Sequence, residues 1–127
     1  MSSEKSKPKN HIVSIDFDGV LSQYKGWQGD EIIDEPIEGA KEFLQKLIDS
    51  GYTPVVFTVR DALYVQEWLK KFDFPELEVT NQKIPSLVYI DDRCIKFEGD
   101  YEKLTQDLKN FEIYWKEEGS KLFKNLK

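Results

Sequence analysis

The sequence predicts an α/β fold in which a doubly wound parallel sheet of about five strands is covered by helices. Short β-branched apolar runs alternate with stretches of helical periodicity, as such a sheet requires. The 127 residues suit one domain, and a hydrophobic content of 39% is enough to build its core. We expect a single domain with a core over about 11–118 and flexible ends over about 1–10 and 119–127.

Five apolar segments are predicted as strands. The first, HIVSIDF, covers residues 11–17 and is followed by Gly19, as for a buried parallel strand. The other four cover residues 53–58, 77–80, 87–90 and 111–115.

Three segments show the apolar spacing of amphipathic helices. Pro36 is interpreted as the start of the first helix, which Gly51 ends. The second covers residues 63–69 and ends before Pro75, and the third covers residues 101–110. Between the first strand and the first helix, residues 22–36 form a segment rich in glycine and aromatic residues, which we call the flap.

Charge and composition exclude several classes of protein. A net charge of −6 argues against a protein that holds nucleic acid or an anionic membrane by bulk electrostatics. The single histidine, His11, cannot build a His-rich zinc site, and the single cysteine, Cys94, cannot form an internal disulfide. With no apolar run long enough to span a bilayer, the chain is predicted to be cytoplasmic.

Polar residues follow the predicted strands where parallel sheets bind ligands, at the carboxyl ends. These candidate site residues are Asp16 and Asp18 after the first strand, Thr58 after the second, Lys83 before the fourth, and Asp91 and Asp92 after it. Two like charges in contact repel by about 4 kcal/mol at an effective dielectric of about 20. A divalent cation that prefers oxygen ligands, Mg²⁺, would remove this repulsion. Carboxylates, Mg²⁺, a lysine and a hydroxyl together indicate phosphoryl transfer.

These residues, in this order, resemble the haloacid dehalogenase (HAD) superfamily of phosphotransferases. The superfamily's first motif, DxDx(T/V), is matched by Asp16, Asp18 and Val20. Its second motif, a Thr or Ser, is matched by Thr58, and its third, a Lys, by Lys83. Its fourth motif, an acidic pair, is matched by Asp91 and Asp92. The resemblance implies that Asp16 is a nucleophile that forms an aspartyl-phosphate and that Asp18 is the general acid and base. An acid at position 18 implies a phosphatase or phosphomutase.

The same resemblance implies the metal ligands and the phosphate contacts. Mg²⁺ would be bound by the Asp16 carboxylate, by the backbone carbonyl of Asp18 and by Asp92, while Asp91 orients Lys83 or a metal-bound water. Thr58 and Lys83 would hold the transferring phosphoryl group. Either acid of the pair at 91–92 remains open as the direct metal ligand.

Substrate contacts are expected from the flap and from the segment after the second strand. Trp27 is a candidate for stacking on a base or sugar, or for packing on the domain. Arg60 is a candidate for steering a substrate phosphate, or for a surface ion pair with Asp61 or Glu67.

The chain has no room for the cap domain that most HAD relatives carry, so the predicted site is open. An open site admits a bulky phosphorylated substrate or is closed by a second subunit, which makes a homo-oligomer an alternative. The IDDR segment is similar to that of polynucleotide kinase phosphatases, which makes a nucleotide or polynucleotide 3′-phosphate one candidate substrate, although the acidic balance argues against nucleic acid. A sugar phosphate or a phosphorylated protein is an equal candidate. A catalytically idle regulatory domain that binds Mg²⁺ and phosphate is a further alternative, and a phospho-accepting receiver domain is disfavoured by the position of the acids.

Other aromatic and sulfur side chains are assigned to packing. Trp68 and Trp115 are predicted to be core residues, and Cys94 a small buried one.

Overall fold

A four-stranded parallel sheet organises the computed structural model, which describes residues 10–116 and 122–127. The strands are β1 (Ile12–Asp16), β2 (Thr53–Phe57), β3 (Glu78–Thr80) and β4 (Val88–Ile90). Their order across the sheet is β3-β2-β1-β4, and all three neighbouring pairs are parallel. The α/β class is therefore confirmed, and this order is consistent with a Rossmann-like fold.

Three helices are present in the described residues: α1 (Ala40–Asp49), α2 (Ala62–Lys71) and α3 (Tyr101–Lys109). Their positions agree with the predicted helices to within a few residues. None of them combines the length and the apolar composition that crossing a membrane requires.

Backbone contacts group the chain into two compact units, residues 1–91 and residues 92–127. The first unit contains the sheet with α1 and α2, and the second contains α3. Fully buried side chains from the sheet and both helices of the first unit form its core, among them Ile15, Val56, Leu44 and Val65. Residues 1–9 of the predicted tail over 1–10 lie outside the described part of the chain, as do residues 119–121 of the predicted frayed end over 119–127. The remaining residues of that end, 122–127, are exposed.

The predicted start of the first helix at Pro36 is wrong. Pro36 pairs with Ser22 in an antiparallel bridge, and the helix begins only at Ala40. Gly39, which precedes it, has a φ of 90°, a left-handed conformation that cannot continue a helix backwards.

Both helices of the first unit end in the same capping motif. At the end of α1, Gly51 has a φ of 93°, and its N–H and that of Tyr52 bond to the carbonyls of Ile48 and Leu47. This is a Schellman motif, as the glycine predicts. At the end of α2, Asp73 takes the same place with a φ of 59°.

The predicted fifth strand at residues 111–115 is also wrong, because within the described residues the sheet has four strands. The alternation that suggested a strand is real, since Ile113 is 2% exposed between the exposed Glu112 and Tyr114. The backbone nevertheless turns, and the Lys116 N–H bonds to the Ile113 carbonyl. Alternating burial thus occurs here without a pairing strand.

Candidate active site at the carboxyl ends of β1 and β4

The order of strands reverses between β1 and β4, the place where open α/β sheets bind ligands. Ile15 of β1 is in register with Ile90 of β4. Asp16 ends β1 and Asp91 directly follows β4, so both acids lie at the carboxyl ends of these neighbouring strands. The position of both acids follows from strand register rather than from loop conformation.

Three acids meet at this edge of the sheet. One carboxylate oxygen from each of Asp16, Asp91 and Asp92 lies within 4.8 Å of the other two. Asp92 is peptide-bonded to Asp91, so the end of β4 positions both residues. We call these three residues the acidic cluster. An all-oxygen donor set of negative charge fits a hard cation such as Mg²⁺ better than a soft one.

The loop after β1 is a compact turn. The Phe17 carbonyl accepts hydrogen bonds from the N–H groups of Val20, Leu21 and Ser22. Gly19 has a φ of 84°, in the left-handed region that disfavours other residues. Phe17 is buried against Trp68 of α2, with the two rings edge to face at a centroid distance of 4.9 Å. The turn that carries Asp18 is thus fixed to the core on its amino-terminal side.

Asp18 is paired with Arg60. The Arg60 Nε donates to both carboxylate oxygens of Asp18, at 3.0 and 2.9 Å. The side chain of Arg60 is 2% exposed and that of Asp18 is 18% exposed. Arg60 therefore forms neither of the surface pairs considered from the sequence, with Asp61 or with Glu67.

Arg60 also binds the flap. Its Nη1 donates to the backbone carbonyls of Gly29 at 2.8 Å and of Asp30 at 2.7 Å. The Trp27 ring covers the guanidinium with a centroid distance of 4.6 Å, while 54% of Trp27 stays exposed. The flap has two further anchors, because Asp30 accepts the Asp61 N–H and the Asp34 carbonyl accepts the Trp68 indole N–H.

Thr58 lies directly after β2 and is buried. Its Oγ1 accepts the backbone N–H of Arg60 at 3.1 Å, and its own N–H donates to the Thr80 carbonyl. The hydroxyl therefore holds the backbone turn between Thr58 and Arg60. Thr58 follows Phe57, which is in register with Asp16, so β1 and β2 bring Thr58 to the same end of the sheet.

Lys83 lies between β3 and β4 and is exposed. Its Nζ sits 4.8 Å from the centroid of the Tyr89 ring, and the Tyr89 hydroxyl donates to the Ile84 carbonyl. No carboxylate in the described part of the chain lies within ion-pair distance of this ammonium. Lys83 is thus a cation that the rest of the described chain does not neutralise.

Asp92, the first residue of the second unit, has a hydrogen-bond partner within that unit. Its Oδ2 accepts the indole N–H of Trp115, and the Arg93 guanidinium lies 5.1 Å from the centroid of that indole ring. Burial, and after it the negative charge of Asp92, raise the pKa of the Tyr114 hydroxyl.

An open groove of about 550 Å³ lies at the carboxyl ends of β2 and β3. It is lined by Val59, Arg60, Asp61, Ala62, Val79, Thr80, Asn81 and Gln82. Val59 is exposed between the buried Thr58 and Arg60. The groove therefore begins at the residue that follows Thr58.

Sequence reasoning missed two contacts of the site and misplaced one residue. Neither the Arg60–Asp18 pair nor the Trp115–Asp92 hydrogen bond has a local signal, since 42 and 23 residues separate the partners. Cys94 is exposed, whereas burial was predicted. Trp68 is a core residue as predicted, while Trp115 is only half-buried.

Comparison with known proteins shows the fold alone. No protein-family model matches the sequence, and no curated protein matches it. Among solved structures, a conserved protein coded by a locus of Bacteroides thetaiotaomicron is similar, with a TM-score of 0.54 and 19% sequence identity. The similarity covers 81% of this chain and 93% of that one, so the α/β architecture is shared over most of both chains.

Proposed function

We propose that this protein is a Mg²⁺-dependent phosphatase, a phosphomonoester hydrolase of the HAD type without a cap domain. The observation that carries the proposal is the acidic cluster at the reversal of strand order between β1 and β4. The motif order supports it, because Asp16, Thr58 and the acid pair fall at the ends of β1, β2 and β4, and Lys83 lies in the loop between β3 and β4. A doubly wound HAD-like sheet is part of the same proposal.

In the proposed reaction, Asp16 attacks the phosphorus of the substrate and forms an aspartyl-phosphate, while the bond between phosphorus and the leaving oxygen breaks. Asp18 donates a proton to that oxygen, and the alcohol leaves. Asp18 then takes a proton from water, which attacks the phosphorus, releases inorganic phosphate and regenerates the Asp16 carboxylate.

The remaining residues hold the substrate and its charge. Asp16, the Asp18 carbonyl and Asp92 would hold Mg²⁺, with Asp91 beside them, and the bound ion supplies positive charge to the phosphoryl oxygens. Thr58 and Lys83 bind the oxygens of the transferring group. Lys83 suits this role because its charge is not neutralised within the described residues.

The flap is consistent with an open site. It is a single loop, closed at its base by the Gln23 N–H bonded to the Glu35 carbonyl. The groove that begins at Val59 is within the usual size range of small-molecule sites, about 300–1,000 Å³. We infer that the leaving group of the phosphate ester lies along it.

The test is hydrolysis of an aryl phosphate by the purified protein. We expect turnover that requires Mg²⁺ and is abolished by EDTA. Asp16→Asn should abolish it because an amide cannot act as the nucleophile. Asp49→Asn is the matched control, since Asp49 is an exposed acid at the end of α1 that bonds to Gln45. Activity retained in Asp16→Asn would contradict the proposed nucleophile.

A catalytically idle domain that binds Mg²⁺ and phosphate is the second candidate. The observation that favours it is the engagement of both Asp18 oxygens by Arg60, an arrangement that holds the carboxylate in a paired state. Two results together would favour this candidate: Mg²⁺ binding detected by calorimetry, and no turnover of any ester in a panel. The panel contains sugar phosphates, nucleoside 3′-phosphates and 3′-phosphorylated oligonucleotides. Turnover confined to the last two classes would favour a nucleotide or polynucleotide 3′-phosphatase.

A further inference from the structure

Arg60 is the buried cation of the candidate site. A guanidinium taken out of water is tolerated only when its charge and its N–H groups find partners. The side chain of Arg60 is 2% exposed, and its charge is balanced by Asp18 at 2.9 Å. The groups that accept hydrogen bonds from Arg60 therefore indicate its role.

Three of the five N–H groups of the Arg60 side chain donate to protein groups. The Nε–H is shared by the two Asp18 oxygens, and the two hydrogens of Nη1 are used by the Gly29 and Asp30 carbonyls. The Trp27 ring covers one face of the guanidinium. A phosphate approaching from solvent would find almost no exposed surface on this side chain.

The backbone of Arg60 acts on a second candidate group. Its N–H donates to Thr58 Oγ1 at 3.1 Å. One residue thus touches Asp18 through its side chain, Thr58 through its backbone, and the flap through the Gly29 and Asp30 carbonyls. The Thr58 contact survives any change of side chain, so substitution isolates the other two.

We propose that Arg60 is a positioning residue, which orients the Asp18 carboxylate and ties it to the flap. This role rests on the proposed phosphatase function, in which Asp18 protonates the leaving oxygen. Charge-assisted hydrogen bonds from a planar guanidinium fix the direction of a carboxylate better than a lysine ammonium does. The flap carbonyls fix the guanidinium in turn.

Leaving-group dependence distinguishes this role from a merely structural one. An aryl phosphate with an acidic phenol leaves with little need for a proton, whereas an alkyl phosphate needs the full contribution of general acid catalysis, about 10²–10⁴-fold. In the proposed reaction Asp18 acts twice, and its second action, on the aspartyl-phosphate, is common to both esters. The value of kcat/KM reports only the steps up to formation of the aspartyl-phosphate. Misorienting Asp18 should therefore lower kcat/KM for the alkyl ester at least tenfold more than for the aryl ester.

The experiment compares Arg60→Met, Arg60→Lys, Asp18→Asn and the double variant Arg60→Met/Asp18→Asn on both esters, after circular dichroism has confirmed folding. We expect Arg60→Lys to retain part of the alkyl-ester activity. The double variant should be no slower than Asp18→Asn, since residues acting as one unit are non-additive. Trp27→Leu should shift the ratio of the two kcat/KM values in the same direction, more weakly.

A readout independent of activity covers the flap. Lys25 is exposed in the flap and is a trypsin site. Trypsin should cleave Arg60→Met at Lys25 several-fold faster than it cleaves the wild type. The control variant Lys71→Met, changed outside the flap, should be cleaved at Lys25 at the wild-type rate.

Equal losses of kcat/KM on the two esters would overturn the positioning role, and an unchanged cleavage rate at Lys25 would overturn the tie to the flap. A wild-type protein that hydrolyses neither ester would instead overturn the proposed function, and with it the role for Asp18. The tryptic rate still decides whether Arg60 anchors the flap in that case.

Discussion

The three carboxylates of the acidic cluster repel one another when no cation is bound. At an effective dielectric of about 20, a pair of charges in contact is destabilised by about 4 kcal/mol, less where solvent screens it. Asp16→Asn removes one of these charges. In EDTA we therefore expect its melting temperature to equal or exceed that of the wild type. A fall of several degrees would show that Asp16 stabilises the fold through its other contacts.

Trp115 acts on the candidate metal site through Asp92. Its indole N–H occupies Asp92 Oδ2 and so fixes the orientation of the carboxylate. Trp115→Phe keeps an aromatic ring and removes the N–H donor. Loss of such an orienting partner typically lowers metal affinity by about 10–100-fold, and we expect a loss in this range for Mg²⁺ measured by titration calorimetry. Trp27→Phe, the same substitution in the flap, should leave the affinity unchanged. Equal affinities in all three proteins would contradict the role of the hydrogen bond.

The two helices of the first unit end at residues of different conformational cost. The capping residue Asp73 at the end of α2 has a φ of 59°, a conformation that a residue with a Cβ adopts at a cost. Asp73→Gly removes that cost, and we expect the free energy of unfolding to rise by about 0.5–1 kcal/mol. Urea denaturation measures it. Glu67→Gly, at an exposed position in the interior of the same helix, should instead lower the free energy of unfolding by about 1 kcal/mol.

Helices and buried strands were predictable because their signal is periodic and local. The four observed strands each lie within a predicted apolar run, and the Schellman glycine at Gly51 ends α1 as expected. The start of α1 was not predictable from Pro36, since that residue is used for pairing with Ser22 across the base of the flap. The predicted strand at residues 111–115 failed because an alternation of buried and exposed side chains indicates burial and does not indicate hydrogen bonding to a neighbouring strand.

The candidate site was predictable to the extent that it lies at strand ends. Register brings Asp16 and Asp91 together, and a sequence reading that recognises the strands finds them. The contacts of Arg60 and Trp115 depend instead on which side chains the folded chain brings close over long sequence separations. Residue identity alone therefore left the role of Arg60 open between substrate and surface, and its burial against Asp18 and the flap was not foreseen.

Binding of Mg²⁺ should stabilise the whole molecule. A ligand that binds only the folded state adds about 2.7 kcal/mol at a concentration one hundred times its Kd. The net charge of −6 adds a general attraction for cations. We expect the melting temperature of the wild type to rise with Mg²⁺ concentration and that of Asp16→Asn to respond far less. A rise shared equally by both proteins would indicate nonspecific screening of charge.

The exposed thiol of Cys94 offers a way to observe the site directly. It belongs to the single cysteine of the chain and lies two residues after Asp92, within about 7 Å along the backbone. A nitroxide label can be attached to this thiol without introducing a new cysteine. Paramagnetic Mn²⁺ held by the neighbouring acids would broaden its resonance, so spectroscopy on the labelled wild-type chain reports occupancy without any turnover.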